Sequence, residues 1–191
     1  MSQTTKRALA ASLKKLLERK PLDKVTVTDI AEDCGVGRQT FYYHFEDIYG
    51  LVEWIYTSEA GQALGGNKTY ATWQEGYLRI LEYVRANRAF VRATYNSAGR
   101  EHLIRYLYGE TYQLLIGVVE ELAQGIPLRE EDKQFIAHFY KYAFTGMLLD
   151  WVSSGMRTAP EELVGRLSVL IEGHIAGELE RFRTDRIRPG L

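Results

Sequence analysis

Apolar residues recur at intervals of three and four along most of the chain, which is the spacing of one face of an α-helix. Only four prolines interrupt this pattern. The periodicity therefore predicts an all-α protein. The predicted helices cover residues 6–20, 27–34, 38–45, a fourth segment that follows Glu46-Asp47 and contains Leu51, Val52 and Ile55, and then residues 71–86, 88–97, 100–124, 130–155 and 160–183. The stretch GQALGGN, residues 61–67, is predicted to form a loop.

The first predicted helix is amphipathic and has a basic exterior. Leu9, Leu13 and Leu17 fall on one face, and lysine and arginine side chains surround them. Pro21 ends this helix, because proline lacks the amide hydrogen that a helix interior requires. A short connector then leads to the second helix.

The segment TVTDIAEDCGVGRQTFYYHF, residues 26–45, predicts a helix, a tight turn and a short second helix. The Thr26 hydroxyl is placed to accept a hydrogen bond from the amide of Asp29, as an N-cap residue does. Ile30 belongs to the buried face of this helix. Gly35 suits the left-handed position that follows a helix end.

The short helix after the turn has two different sides. At 100° per residue, Phe41 and Phe45 fall together on one side. The opposite side carries Gln39, Thr40 and Tyr43, flanked by Arg38, Tyr42 and His44. A helix anchored by two phenyl rings, with polar and aromatic groups outward, predicts a helix-turn-helix that binds double-stranded DNA.

The outward side chains divide by the part of DNA they would reach. The middle of the side fits base edges in the major groove, which admits one helix. Hydroxyls and cations on the flanks fit phosphates. The base-edge candidates are Gln39, Thr40 and Tyr43, and the phosphate candidates are Arg38, Tyr42 and His44. The alternative is a surface helix of an ordinary bundle, for which several outward aromatic rings would be a poor solvent surface.

Residues 6–51 resemble the DNA-binding domain of TetR-type (TetR/AcrR) transcriptional regulators. The similarity rests on Thr26, Ile30-Ala31, Gly35-Val36, Thr40-Phe41-Tyr42, Phe45 and Leu51. The resemblance implies an all-helical homodimer on a palindromic operator, with a DNA-binding domain at 1–51 and an effector-binding and dimerisation domain at 52–191. It also implies that Thr26 caps its helix beside DNA, that Thr40, Tyr42 and His44 touch the backbone, and that Arg38, Gln39 and Tyr43 read sequence.

Two positions depart from the family pattern. Gly37 stands where serine or threonine is frequent, which costs a helix N-cap only a few tenths of a kcal/mol. Ile48 stands where the family often has a lysine directed at a phosphate. The loss of one phosphate contact lowers the salt dependence of binding by about 0.9 in slope.

The C-terminal part carries candidates for an effector pocket and a dimer interface. Tyrosine and tryptophan suit a pocket for a flat or amphipathic effector. The pocket candidates are Trp73, Tyr77, Tyr106, Tyr112 and Tyr140. The resemblance implies that the last two long helices pair with their copies, and the interface candidates there are Phe139, Met147, Trp151, Leu167 and Ile171. For every residue in both sets, packing in the monomer's own core is the alternative.

Composition narrows the remaining classes. The net charge of −1 gives no overall attraction to nucleic acid, so any such attraction must come from where the basic residues lie. A single cysteine, Cys34, excludes an intramolecular disulfide and is interpreted as a small core residue. No run is long and apolar enough for a membrane span, and no signal segment begins the chain, so we expect a cytoplasmic protein without membrane partners.

Catalytic and metal-binding patterns are also weak. No metalloprotease, nucleophile-elbow, phosphate-loop or dinucleotide motif occurs, so we expect no enzyme activity and no cofactor. His174 and Glu178 share a helix face but lack a third metal ligand, and we interpret them as a solvated pair. His102 and His138 are interpreted as structural. The leading hypothesis is a repressor that leaves its operator when a small molecule binds; the alternative is a helical module or activator that works through a protein partner.

Overall fold

The computed structural model describes residues 2–60 and 69–185, with side chains for residues 3–58 and 69–185. Within these ranges the secondary structure is helical and no strand occurs, as the periodicity predicts. The α-helices are α1 Ser2–Leu17, α2 Val27–Asp33, α3 Arg38–His44, α4 Ile48–Ile55, α5 Trp73–Ala86, α6 Arg88–Tyr95, α7 Arg100–Leu122, α8 Glu130–Ser153, α9 Pro160–Ile171 and α10 His174–Arg181. The loop predicted at 61–67 lies outside the described residues.

The chain divides into two compact units. The first unit consists of Met1–Gln62 and Tyr83–Tyr106, and the second of Ala63–Glu82 and Leu107–Leu191. The first unit therefore contains α1 to α4, α6, the end of α5 and the start of α7. The second unit contains the rest of α5 and α7, together with α8, α9 and α10.

The first unit is built around α1. Its apolar face packs against α2, α3, α4 and α6. Leu9, Leu13 and Leu17 are buried there, as the amphipathic pattern predicts, together with Ile30 of α2 and Leu51 of α4. Burial of such side chains is worth about 1.5–3 kcal/mol each, so this core holds the short helices α2 and α3 in place.

The turn after α2 has the hydrogen bonds of a Schellman motif. The Val36 amide donates to the Ala31 carbonyl at 2.9 Å, and the Gly35 amide donates to the Glu32 carbonyl at 3.0 Å. Gly35 has φ 68°, which confirms the predicted left-handed position. Cys34 is half-buried at the end of α2 and donates from Sγ to the Ala8 carbonyl at 3.3 Å, so its assignment to the core needs correction.

The single helix predicted over 160–183 is wrong. The structure ends α9 at Ile171 and begins α10 at His174, with Gly173 between them at φ 74°. Ile171, Ile175 and Leu179 keep a four-residue spacing across the break, and all three are buried. The hydrophobic pattern therefore continues where the backbone does not.

Buried aromatic contacts and threonine hydroxyls build the core of the second unit. Trp73 and Tyr77 both pack edge-on against Phe144, with ring centroids 5.6 and 4.8 Å away. The Thr145 hydroxyl donates to Thr111 Oγ1 at 3.3 Å between α8 and α7. The hydroxyls of Tyr77, Thr111 and Thr145 thus all have hydrogen-bond partners, as a stable interior requires.

Candidate nucleic-acid interface

A capping box begins α2. The Asp29 amide donates to Thr26 Oγ1 at 3.1 Å, and the Thr26 amide donates to Asp29 Oδ2 at 2.7 Å. This confirms the cap predicted for Thr26. Lys20 lies 2.7 Å from the same carboxylate. The hydrogen bonds from Lys20 and then from Thr26 lower the pKa of Asp29 from 3.8 to about 2.

Two phenyl rings anchor α3. Phe41 is completely buried and Phe45 nearly so, with their centroids 5.8 Å apart. Phe45 also packs edge-on against Trp54 of α4 at 6.0 Å. The Lys6 ammonium lies 5.4 Å from the Phe45 ring, a cation–π contact that the helix pattern did not predict. The two phenyl rings, one helical turn apart, therefore hold the inward side of α3 against the core.

The outward side of α3 is open to solvent. The exposed fraction is 83% for Tyr43 and 58% for Tyr42. Arg38 and Gln39 are also exposed, while Thr40 and His44 are half-buried. All six candidates of this helix thus lie on its accessible side or at its margin. Thr26 is exposed at the start of α2.

This arrangement places hydrogen-bonding groups on a rigid, narrow rod. An amide, a phenol and a guanidinium can pair with base edges, and hydroxyls and imidazole can pair with phosphate oxygens. Because the rod is held from behind, its outward side chains lose little backbone freedom on binding. The chemistry fits a major groove about 12 Å wide.

Acidic residues lie beside one of the phosphate candidates. Tyr42 lines a cleft of about 260 Å³ together with Asp23, Glu46 and Asp47. Ile48, also in this cleft, is the first residue of α4, and no cation replaces the lysine frequent in the family at this position. Carboxylates near a DNA backbone repel it, so this edge favours weaker and less salt-dependent binding.

Polar contacts that the sequence did not predict join α1 to α2. Lys15 Nζ lies 2.5 Å from Asp33 Oδ1, and the Ser12 hydroxyl donates to the Ile30 carbonyl at 3.2 Å. The contact with Lys15 lowers the pKa of Asp33. These pairs are separated by 18 residues, a distance at which helical periodicity gives no information.

Two effector candidates are parts of the packed core in the second unit. Trp73 and Tyr77 are both buried. The Tyr77 hydroxyl donates to the Phe144 carbonyl at 2.8 Å, and burial raises its pKa. Tyr77 therefore has its polar group satisfied within the chain.

The other three effector candidates have different surroundings. Tyr106 belongs to the first unit and stacks on Tyr56 at 5.1 Å. Tyr112 stacks on His138 at 4.6 Å. Tyr140 is buried on α8, and burial raises its pKa. Each of these three rings thus lies against another ring of its own unit.

Three of the five dimer candidates are buried within the chain itself. Trp151, Leu167 and Ile171 are each less than 9% exposed. Met147 is half-buried, and Phe139 is 63% exposed. Among the five, Phe139 therefore offers the largest share of its surface to a partner.

An unexpected cation lies inside the second unit. Lys141 is 8% exposed, and its ammonium lies 4.4 Å from the Tyr142 ring centroid and 5.0 Å from that of Tyr108. Its Nζ atom is 2.9 Å from His138 Nδ1. Lysine is ordinarily a surface residue, so the helix pattern gave no signal for this cluster.

Of the other residues considered for metal binding, His102 and Glu178 have contacts within the chain. His102 stacks on Tyr49 at 5.9 Å, and Glu178 pairs with Arg181 at 3.1 Å, while His174 is exposed. Among the described residues, no group of three or more His, Cys, Asp or Glu side chains is arranged to hold a metal ion. In the same part of the chain, no helix combines the length and apolarity of a membrane span.

Family comparisons match both parts of the chain. The family described as "Bacterial regulatory proteins, tetR family" matches residues 4–55. The family described as "Transcriptional regulator C-terminal region" matches residues 71–173. The first match contains α2, its turn and α3. The second covers more than half of the chain.

Individual relatives agree with this assignment. The chain is 29% identical over 86 residues to the HTH-type dhaKLM operon transcriptional activator DhaS of Lactococcus lactis subsp. lactis (strain IL1403), a match that covers 45% of this chain and 46% of that protein. A solved structure of the dihydroxyacetone kinase operon activator DhaS has a TM-score of 0.72 at 20% identity, covering 94% of this chain and 98% of that one.

NalD, the secondary repressor of the MexAB-OprM multidrug efflux pump in Pseudomonas aeruginosa, has a TM-score of 0.60 at 13% identity, covering 97% of this chain and all of its own. Likeness at these identities shows a shared fold and nothing finer. The family matches carry the assignment further, because together they span the helix-turn-helix and most of the helices that follow. This chain belongs to the TetR family of bacterial transcriptional regulators.

Proposed function

We propose that this regulator binds a palindromic DNA operator as a homodimer and acts as a repressor that a small molecule releases. In this proposal residues 1–51 bind DNA, and residues 52–191 bind the effector and the second subunit. The observation that supports DNA binding is the contrast within α3, where Phe41 is completely buried and Tyr43 is 83% exposed. A solvent-facing tyrosine on a rigidly anchored helix is suited to base contacts.

Exposed apolar side chains on α8 and α9 support the homodimer. Phe135, Phe139, Val169 and Leu170 are each more than 60% exposed. Phe135 and Phe139 are one helical turn apart and Val169 and Leu170 are adjacent, and clustered apolar groups of this kind on a surface mark an interaction site. Two copies joined there would present two α3 helices to successive half-sites, about 34 Å apart on DNA.

A cleft in the second unit supports the effector. Tyr70, Trp73, Gln74, Ser168 and Ile171 line a cleft of about 420 Å³. Sites for small molecules usually measure about 300–1,000 Å³ and combine apolar walls with a few polar groups. Trp73 is the one effector candidate among the lining residues. Release would follow if the effector favoured the conformation that binds DNA less well.

The likeness to DhaS favours activation as a second candidate. Its name describes an operon activator, whereas NalD is described as a repressor. An activator uses the same helix-turn-helix but recruits a protein partner in place of blocking transcription. The fold is compatible with both outputs, so the sign of regulation is a separate question from DNA binding.

Selection from random duplexes tests the DNA-binding proposal. Purified protein is mixed with a randomised library at fixed salt, and bound duplexes are sequenced over several rounds. We expect an inverted repeat whose half-site centres lie one helical turn apart. A variant with Phe41 intact but with Gln39→Ala and Tyr43→Ala should enrich a different or poorer motif.

Wild-type protein that enriches no motif, although it is folded by circular dichroism, would contradict the proposal. A reporter under the selected sequence then separates the two signs of regulation. Expression that rises on deletion of the regulator supports repression, and expression that falls supports activation.

A further inference from the structure

A wide cleft in the first unit has no role in the proposed DNA or effector contacts. It measures about 520 Å³ and lies between the end of α1, the connector that follows it, and α6. Its apolar walls include Leu22 and Ala93. Its charged residues are Glu18, Arg19, Lys20, Asp23, Arg88 and Arg92, which gives two positive charges in excess.

The three arginines of this cleft have no carboxylate within ion-pair distance among the described residues, although the charge of Arg19 does act on Asp33. Arg19, Arg88 and Arg92 form none of the ion pairs found there, whereas six other arginines do. Arg88 and Arg92 are one helical turn apart on α6, where like charges repel. A bound anion would relieve this repulsion.

We propose that this cleft binds a small organic oxyanion with two or more negative charges, held by Arg88, Arg92 and Arg19. Guanidinium groups pair with phosphate and carboxylate oxygens through two parallel hydrogen bonds, which makes arginine the favoured residue for such ligands. The apolar walls then cover the carbon skeleton, and the volume is that of an ordinary small-molecule site.

Lys20 connects this cleft to the helix-turn-helix. It lines the cleft and also pairs with Asp29, whose carboxylate accepts a hydrogen bond from the Thr26 amide at the start of α2. An anion in the cleft competes with Asp29 for the Lys20 ammonium. The first turn of α2 then loses a stabilising contact, so anion binding and DNA binding oppose each other. This second step rests on the proposed function.

Calorimetric titration tests the site without DNA. The probes are inorganic pyrophosphate and citrate, added at constant ionic strength. We expect saturable binding of at least one probe to wild-type protein, and at least tenfold weaker binding to the variant with Arg88→Gln and Arg92→Gln. The tighter probe tells whether the ligand is a phosphoryl or a carboxylate compound.

The matched control is the variant with Arg79→Gln and Arg166→Gln, which removes the same charge from two exposed ion pairs outside the cleft. It should bind the probe as the wild type does. Equal binding by all three proteins, or binding by none, would overturn the site.

The selected duplex then tests the coupling. Saturating probe should raise the dissociation constant of wild-type protein for this duplex about fivefold or more. Lys20→Met removes the group for which the anion and Asp29 compete, so it should bind the probe more weakly, and saturating probe should no longer raise its dissociation constant for the duplex. An equal probe effect in both proteins would overturn the role of Lys20.

Duplex binding measured without probe tests whether the arginines of the cleft contact DNA directly. If Arg88 and Arg92 touch DNA phosphates, their double substitution weakens duplex binding in the absence of any probe, which would contradict the small-anion site. A wild-type protein that binds no duplex at all would overturn the proposed function, while the titration would still decide whether the cleft binds an anion.

Discussion

Phe41 and Tyr43 are two residues apart in α3 and have opposite environments. Phe41 is fully buried, so Phe41→Ala should lower the free energy of unfolding by about 3–5 kcal/mol through lost burial and the cavity left behind. Tyr43 is 83% exposed, so Tyr43→Ala should stay within about 0.5 kcal/mol of wild type. Urea unfolding followed by circular dichroism measures both.

The same two variants separate folding from recognition. Tyr43→Ala should keep the wild-type stability and change the preference among duplexes. A large loss of stability for Tyr43→Ala would show that this ring packs against its own chain, and would contradict its assignment to the DNA side.

Asp29 makes the stability of the first unit depend on pH. Its pKa in the folded protein is lowered to about 2 by the hydrogen bonds from Lys20 and Thr26, so its ionised form stabilises the fold at pH values above its ordinary pKa of 3.8. This contribution is lost as the pH falls from about 4 towards 2. We expect Asp29→Asn to melt below wild type at pH 7, and the difference to shrink over that range. A difference that stayed constant down to pH 2 would contradict this account.

For individual residues, the sequence predicted the features that depend only on residues within about one helical turn of each other. The 100° wheel placed Phe41 inward and Tyr43 outward, and the three-residue spacing of Thr26 and Asp29 predicted the cap. Lys20 approaches Asp29 across a connector, and Lys141 is buried among rings from two helices. Neither contact has a periodic signature, so neither was predicted.

Gly173 sets the boundary between α9 and α10. Its φ of 74° is in the left-handed region, where a side chain costs roughly 1–2 kcal/mol. Gly173→Ala should therefore lower the melting temperature. Gly109→Ala is the matched control, because Gly109 is exposed inside α7 with open space around it. Alanine at this helical position should raise the free energy of unfolding by about 0.5–1 kcal/mol.

Opposite signs for the two glycine variants would support the break, whereas stabilisation by Gly173→Ala would favour the continuous helix expected from the sequence. The periodicity missed this break because Ile171, Ile175 and Leu179 stay in phase across it. One glycine was the only local signal, and glycine also occurs inside helices, as Gly109 and Gly146 do here.

Pairing of two chains is the prediction that belongs to the whole molecule. Val169 and Leu170 are 78% and 62% exposed on α9. Replacing both by glutamate should convert the proposed dimer to a monomer, since it buries like charges at the interface, and light scattering after gel filtration measures the mass. Gln113→Glu in α7 with Gln124→Glu in the turn that follows it, both at exposed positions, adds the same charge as a control. A wild-type monomer at micromolar concentration, or an unchanged dimer in the double variant, would contradict this interface.

The sequence identified the helices proposed for pairing but not their free faces. Trp151, Leu167 and Ile171 are apolar and in phase with the rest of their helices, yet the chain buries them itself. Phe135, Val169 and Leu170 are equally apolar, but they are exposed. Apolar periodicity does not distinguish the two environments, because it depends on which neighbouring helix covers each face.

The affinity ratio between the selected duplex and a scrambled duplex tests the central claim, that the outward side of α3 reads bases. Fluorescence anisotropy at one stated salt concentration gives this ratio for wild type, for Tyr42→Phe, and for the variant with Gln39→Ala and Tyr43→Ala. The account predicts that Tyr42→Phe weakens binding to both duplexes equally, and that the double variant lowers the ratio at least tenfold, since each base contact contributes about 1–3 kcal/mol of discrimination. A ratio that the double variant leaves at its wild-type value would contradict the claim.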